Sequence, residues 1–219
     1  MTAERDYWEQ HHAAKRTVYP TEEVVRFLAY AFPDAAARRG LRALDLGSGS
    51  GRHAVLMARY GFDVVAADYS FHAVANVRAF LAAEKLSGRA ACAALDRLPF
   101  RAAAFDVVLP WECIFYGDHA FVKRAVAEVR RVLKPGGVAF FNLRSPDDKH
   151  VEESDAVAPG VYLNRGEWAD VAFAVFTEAE ARALVAEGFE TVWFDPYLIS
   201  RRNGESRDAG WMLLVRKKP

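Results

Sequence analysis

Short apolar runs rich in β-forming residues alternate along this chain with longer stretches of helical spacing, the pattern of βαβ units around a mostly parallel sheet. The runs cover residues 43–46, 63–67, 90–94, 106–109, 138–142, 191–194 and 211–215. Helices are predicted over 52–59, 71–86 and 119–133. In the last of these Phe121, Val122, Ala125, Val126, Val129, Val132 and Leu133 share one stripe. Lys134-Pro135-Gly136-Gly137 should end that helix in a turn. Thr177-Glu178-Ala179-Glu180 reads as a capping box opening a helix to about residue 187, stopped by Gly188. Asn203-Gly204 is a hairpin signal, so the final two strands should pair antiparallel. Residues 143–175 are irregular and too long for a plain connector, which marks a lid, a binding loop or a small inserted element.

The 219 residues are 52% hydrophobic and 13% aromatic, enough for one sizeable core. No internal repeat and no Gly/Ser-rich or Pro-rich linker divides them. The expectation is a single α/β domain over 1–219, with 1–40 as a helical extension and 143–175 as an insertion on the substrate side. Lys plus Arg (29) equals Asp plus Glu (29), so no field of one sign draws in a polyanion or an acidic membrane. Nucleic acid is disfavoured as a partner. Two cysteines, Cys92 and Cys113, build neither a disulfide framework nor a four-cysteine zinc site. With no apolar leader segment in the first twelve residues and no run of about 18 apolar residues, a cytoplasmic protein with reduced thiols is expected, as monomer or homodimer.

Candidate chemistry begins where the first strand enters Asp45-Leu46-Gly47-Ser48-Gly49-Ser50-Gly51-Arg52. Glycines there admit positive φ and close approach of a ligand, and the following helix offers free N–H groups. The spacing is G-x-G-x-G, with Arg52 next, and not the G-x-G-x-x-G that turns over a pyrophosphate. Asp45 before the loop suits a ligand ammonium better than a phosphate. Asp68, 17 residues beyond Gly51, is placed to accept from both hydroxyls of a ribose. A cofactor with a ribose, an amine and no diphosphate satisfies both acids, and S-adenosylmethionine is such a molecule.

Three further motifs follow in order: Leu98-Pro99-Phe100, Phe105-Asp106-Val107-Val108, and Arg131-Val132-Leu133-Lys134-Pro135-Gly136-Gly137. With the loop and Asp68, they make residues 43–219 resemble a class I S-adenosylmethionine-dependent methyltransferase, similar to the small bacterial tellurite and thiopurine type. The resemblance implies a Rossmann-like seven-stranded sheet, mostly parallel, with an antiparallel last strand and helices on both faces. It implies S-adenosylmethionine as cofactor, S-adenosylhomocysteine as product and a small-molecule methyl acceptor, with no metal. Gly47, Ser48, Gly49 and Gly51 would line the methionine portion with Asp45 near its ammonium, Asp68 would hold the ribose, and Tyr69 would lie against the adenine. The aspartate that family members present four residues before Leu98 is Ala94 here, so Leu95, Asp96 or Arg97 would take over the adenine contact. Tyr7 and Trp8, in the aromatic N-terminal segment, would close over the cofactor.

The fourth strand's end would face the methyl group, through Pro110, Trp111, Glu112, Cys113 and Tyr116. A methyl displacement needs an aligned nucleophile more than a strong base. Glu112 is the candidate to hold or deprotonate an acceptor, with Tyr116 beside it. Trp111, Cys113, Tyr19, Arg144 and Trp168 are candidate substrate contacts. His11-His12 are adjacent and cannot present both rings to one metal from a helix face. His53 and His72, in first helical turns, are expected at the surface or as caps. Related proteins carry a Pro-His-His-like run where this chain has Asp170-Val171-Ala172-Phe173-Ala174, so no role passes to that segment. Other readings are a non-methylating S-adenosylmethionine enzyme, a nicotinamide-dependent oxidoreductase, which the loop spacing opposes, and an RNA methyltransferase, which the interspersed acids oppose.

Overall fold

The computed structural model describes residues 3–165, 171–201 and 206–219. Trp168, Asp170 and the Asn203-Gly204 turn lie outside the described residues. The chain opens with α1 (Ala3–Ala14), α2 (Glu22–Ala31) and α3 (Ala35–Arg38). There follow β1 (Arg42–Leu46), α4 (Arg52–Arg59), β2 (Asp63–Asp68), α5 (Phe71–Ala83), β3 (Arg89–Cys92), β4 (Phe105–Leu109), α6 (His119–Val132) and β5 (Leu133–Arg144). Next come α7 (Lys149–Glu152), β6 (Ser154–Ala158), β7 (Val161–Asn164) and β8 (Ala172–Ala174). The last elements are α8 (Glu178–Ala186), β9 (Phe189–Arg201) and β10 (Ser206–Lys217).

Seven strands form one sheet in the order β3-β2-β1-β4-β5-β10-β9. The pairs among β1 to β5 are parallel, and β10 runs antiparallel to both β5 and β9. This is the expected α/β sheet, with its antiparallel last strand. Central β1 is buried from Ala43 to Leu46, as a parallel strand covered on both faces must be, with Asp45 the one charged residue among those four. On one face α6 lays down the predicted stripe: Val122, Ala125, Val126, Val129 and Val132 are buried with α8 beside them. The capping box opening α8 forms as read, Glu180 N–H reaching Thr177 Oγ1 at 3.3 Å and Thr177 N–H reaching Glu180 Oε2 at 2.8 Å. α2, α4 and α5 cover the opposite face. Pro196 interrupts β9 without harm because β9 is an edge strand.

Two expectations shift at their ends. The helix predicted to reach residue 86 stops at Ala83, because Lys85 turns to φ +56° and Leu86 donates back to Leu81 O at 2.9 Å. The turn predicted at 134–137 becomes a bulge inside β5. Leu133 pairs with Phe105 and Val138 with Val107, so the Pro-Gly-Gly segment bows out of the ladder, with Gly136 at φ +76°. Lys134 folds back from it to hold Asp106 at 2.7 Å.

The stretch between β5 and α8 carries structure of its own. β6, β7 and β8 form a separate three-stranded antiparallel sheet, sewn to the body by Gly117 N–H to Ala172 O and Ala174 N–H to Phe115 O, both 2.9 Å. A small apolar cluster of Phe115, Phe173 and Val175 lies under the seam. Helix α2 is fixed by an aromatic stack. Phe140 of β5 lies nearly parallel to Phe27 of α2 (4.6 Å between ring centres), Trp111 (5.0 Å) and Trp193 of β9 (5.6 Å).

Phe140→Ala should cost about 3–5 kcal/mol, since a fully buried ring with three stacked neighbours leaves a cavity they cannot fill. Urea unfolding measures this; a loss under about 1 kcal/mol would show that the stack does not anchor α2.

Candidate active site

Past Leu46 the chain turns at once into the glycine loop. Gly47, Gly49 and Gly51 take φ of +66°, +51° and +89°, where a side chain is strained. Space excludes one at Gly47 as well, for a Cβ there would lie 2.6 Å from the Cys113 sulfur. The loop hangs on the end of β2. Gly47 and Ser48 donate to Ala67 O at 2.7 and 3.1 Å, and Gly49 donates to Asp68 Oδ2 at 2.9 Å. The other Asp68 oxygen accepts the Ser70 N–H at 3.0 Å. Burial pushes the Asp68 carboxyl above its ordinary range, and the Ser70 and Gly49 N–H groups oppose that rise. Asp45 lies beneath the loop, where burial drives its carboxyl up to about 7 against a hydrogen bond from Ala54 N–H and the Arg52 charge. Its Oδ2 has no hydrogen-bond partner.

A roof over the loop comes from α1. Glu9 accepts from Ser70 Oγ and Phe71 N–H at 2.8 Å and from His72 N–H at 3.1 Å, and it meets His72 Nδ1 at 2.9 Å. Burial alone would raise this carboxyl, but these bonds outweigh it and lower Glu9 to about 2. A carboxylate thus caps α5 from another helix, where the dipole favours it. Asn76 also donates to His12 O at 2.8 Å. His12 lies over Gly49, its Cε1 3.3 Å from where a Cβ would stand. Burial lowers the His12 imidazole to about 4, Glu9 opposing and His72 assisting, so the ring is neutral at neutral pH.

Under the roof is a cavity of about 550 Å³. Gly47, Ser48, Gly49, Asp68, Tyr69 and Leu95 line it together with Trp111, Glu112, Cys113, Tyr116 and Arg144, and Trp8 contributes from α1. Two polar atoms on this wall, Ser48 Oγ and Trp111 Nε1, are buried without a hydrogen-bond partner and available to a ligand. Trp8 meets Tyr116 edge-on at 5.0 Å. Arg144 is held among the rings of Phe115, Phe173 and Tyr116 at 4.8, 4.9 and 5.8 Å.

The catalytic candidates are constrained by their surroundings. Glu112 adopts φ +56°, an uncommon conformation for a residue with a side chain, and donates its N–H to Asn142 Oδ1 at 2.8 Å. Its carboxylate forms an ion pair with Arg52. Burial pushes the Tyr116 hydroxyl up to about 12, so it remains protonated. Burial likewise raises the Cys113 thiol, which donates to Leu46 O at 3.1 Å and is no nucleophile at neutral pH.

A methyltransferase-domain family model matches residues 44–141. An uncharacterized methyltransferase of Mycobacterium bovis is 36% identical over 123 residues, 56% of this chain and 44% of that protein. A SAM-dependent methyltransferase of Methanosarcina mazei superposes with a TM-score of 0.73 at 19% identity, over 91% of this chain and 99% of that one. Residues 44–141 thus carry the sequence of a methyltransferase domain, and the chain has the fold of SAM-dependent methyltransferases. A 1,6-didemethyltoxoflavin-N1-methyltransferase of Burkholderia thailandensis, solved with 1,6-didemethyltoxoflavin and S-adenosylhomocysteine, superposes with a TM-score of 0.69 at 19% identity, over 100% of this chain and 92% of that one. The chain spans about two-fifths of the length of the curated relatives it matches first, 40 and 44%.

Not every expected residue borders the cavity. Tyr7 packs on Trp8 at 5.2 Å, and Tyr19 is 82% exposed. Gly51 packs against Val77, and Asp45 and Pro110 stay outside the lining. Asp96 turns outward to Arg124 at 3.2 Å because Arg97 N–H closes a tight turn onto Ala94 O at 3.2 Å; neither Asp96 nor Arg97 lines the cavity. His53, expected at the surface or as a cap, is instead buried, with Thr21 N–H 3.3 Å from its Nε2. Asn142, Tyr197, Asp148 and His150 line the cavity without having been anticipated. Asn142 alone had a sequence signal, an amide ending the apolar run of β5.

Asp45 has its pKa raised on folding, so its contribution to stability is complete below about pH 4 and declines as pH rises through about 7. Asp45→Asn should therefore gain stability relative to the native chain across that interval, by up to about 1.4 kcal/mol per pH unit. Urea unfolding at several pH values reads the difference; a constant offset would refute it.

Proposed function

We propose that the protein binds S-adenosylmethionine in this cavity and transfers its methyl group to a small-molecule acceptor, leaving S-adenosylhomocysteine. The observation that carries the reading is the single cavity joining the Gly47–Gly49 backbone and Asp68 to the aromatic wall of Trp111 and Tyr116. The residues fit the cofactor. Gly47 and Gly49 place loop backbone on the cavity wall, Ser48 Oγ and Trp111 Nε1 are buried without a hydrogen-bond partner, and Asp68 presents a carboxylate where a ribose would be held. Tyr69 and Leu95 would flank the adenine. The bound cofactor supplies an electrophilic methyl carbon on a sulfonium. The protein's work is to align an acceptor with that carbon and exclude water. Neutral His12 adds no positive charge against the sulfonium, and the Trp8, Trp111 and Tyr116 rings offer π faces to it.

A cavity of about 550 Å³ favours a small acceptor. Among the described residues no helix is long and apolar enough to cross a membrane. Both cysteines are free, which favours a reducing compartment such as the cytoplasm.

At about 100 times its dissociation constant, S-adenosylhomocysteine should stabilise the protein by roughly 2.7 kcal/mol, visible as a thermal shift. Asp68→Ala and Gly47→Ala should each remove most of that shift. A protein that responds to NADH and not to S-adenosylhomocysteine would sink the reading.

A further inference from the structure

The stretch between β5 and α8 brings a second acid and base to the cavity. Asp148 is 1% exposed. Its Oδ1 accepts the His150 N–H at 3.0 Å and faces His150 Nδ1 at 2.8 Å, and its Oδ2 accepts the Ala209 N–H at 3.0 Å. Arg144 stands 3.4 Å from Oδ1. Burial by itself would raise this carboxyl, but the bond from His150, the Arg144 charge and the Ala209 N–H reverse the effect and hold it below the usual carboxylate range. Asp148 is thus a carboxylate, which only accepts, so the nitrogen facing it must carry the proton. His150 lines the cavity, and among the described residues nothing hydrogen-bonds to its Nε2. The ring is oriented at one nitrogen and open at the other.

We infer that His150 is the general base for the acceptor, oriented by Asp148, and that the acceptor is an aromatic hydroxy compound. This rests on the methyltransferase reading of the cavity. The acceptor class follows from the lining: Trp111, Tyr116 and Tyr197 offer flat apolar walls, and a base is useful only where the nucleophilic atom carries a proton. In the step, the acceptor O–H bond breaks and its proton passes to His150 Nε2. The freed oxygen pair forms the bond to the methyl carbon, and the carbon–sulfur bond breaks with its pair remaining on sulfur as a neutral thioether. The imidazolium, stabilised by Asp148, later gives its proton to solvent. Sulfonium and neutral acceptor become thioether, methyl ether and one proton.

Asp208 of β10 completes a trio with Asp148 and His150 whose donor atoms lie within 4.8 Å of one another, the spacing of a possible cation site. Its surroundings oppose that use. Both Asp148 oxygens are already engaged, and the Arg144 guanidinium beside them would repel a cation. The charged groups around the ring are then Asp148, Arg144 and Asp208.

The full chain saturated with S-adenosylhomocysteine should bind 4-nitrophenol and show its phenolate absorption at a pH where the free probe is mostly neutral. His150→Gln should reduce that signal about tenfold or more while S-adenosylhomocysteine affinity stays within about twofold. As a positioning residue, Asp148 is tested by nitrogen NMR of the histidine rings. Native His150 should be the Nδ1–H tautomer, and Asp148→Asn should lose that preference. A signal that persists in His150→Gln, an Nε2–H tautomer in the native protein, or no phenolate signal despite bound S-adenosylhomocysteine overturns the proposal. Calorimetric binding of Mg²⁺ or Zn²⁺ abolished by Asp208→Asn would overturn it in favour of a metal site. Failure to bind S-adenosylhomocysteine would instead strike the methyltransferase reading itself, and the base falls with it.

Discussion

The arrangement of the site depends on where one carboxylate directs its two oxygens. Asp68 takes the Gly49 N–H with one and the Ser70 N–H with the other, so the glycine loop, the end of β2 and the start of α5 are held by a single side chain. Taking this group out of water is costly, and the two N–H bonds offset part of that cost while leaving the carboxylate beside the cavity. The loop can accept this tether only because its glycines tolerate positive φ and the approach of Cys113. A ligand hydroxyl meeting Asp68 would meet a group whose position is already set.

The N-terminal helices close the site through different physics at each end. α2 is held by apolar stacking on Phe140, whereas α1 is held mainly by Glu9 at the start of α5. Apolar burial is indifferent to protonation, but the Glu9 contact depends on charge. Because its pKa is lowered on docking, that contact is complete above the ordinary carboxylate range and is lost as pH falls through about 2. α1 also carries Trp8 and His12 into the cavity, so it is a wall as well as a roof.

The two ends of the cavity are electrostatically unlike. Bordering the cavity near the loop are the raised carboxyl of Asp68 and a neutral His12, with Asp45 beneath the loop and outside the lining. Beyond Tyr116 stands a network of Arg144, Asp148 and His150, braced by aromatic rings and by the N–H of Ala209 on β10.

The seven strands of the main sheet, α4, α5, α6 and α8, the α8 capping box and the glycine loop were legible in the sequence because they rest on local rules, whereas β6, β7 and β8 lie in a stretch that reads as irregular. Asp68 could be read for the same reason, as an acid at a strand's end a fixed distance past the loop. Asp96 could not, because its direction is set by a turn onto Ala94 and by Arg124 on another helix. His53 was hidden because only the packing of Thr21 against α4 buries it. The Asp148–His150 pair was hidden because its meaning comes from Ala209, 61 residues away along the chain, and from the cavity wall. Sequence by itself determined the sheet, its order of elements and the loop that would hold a cofactor. Tertiary structure decided which side chains face that loop across the cavity, since hydrogen bonds between distant segments, and not local propensity, orient them.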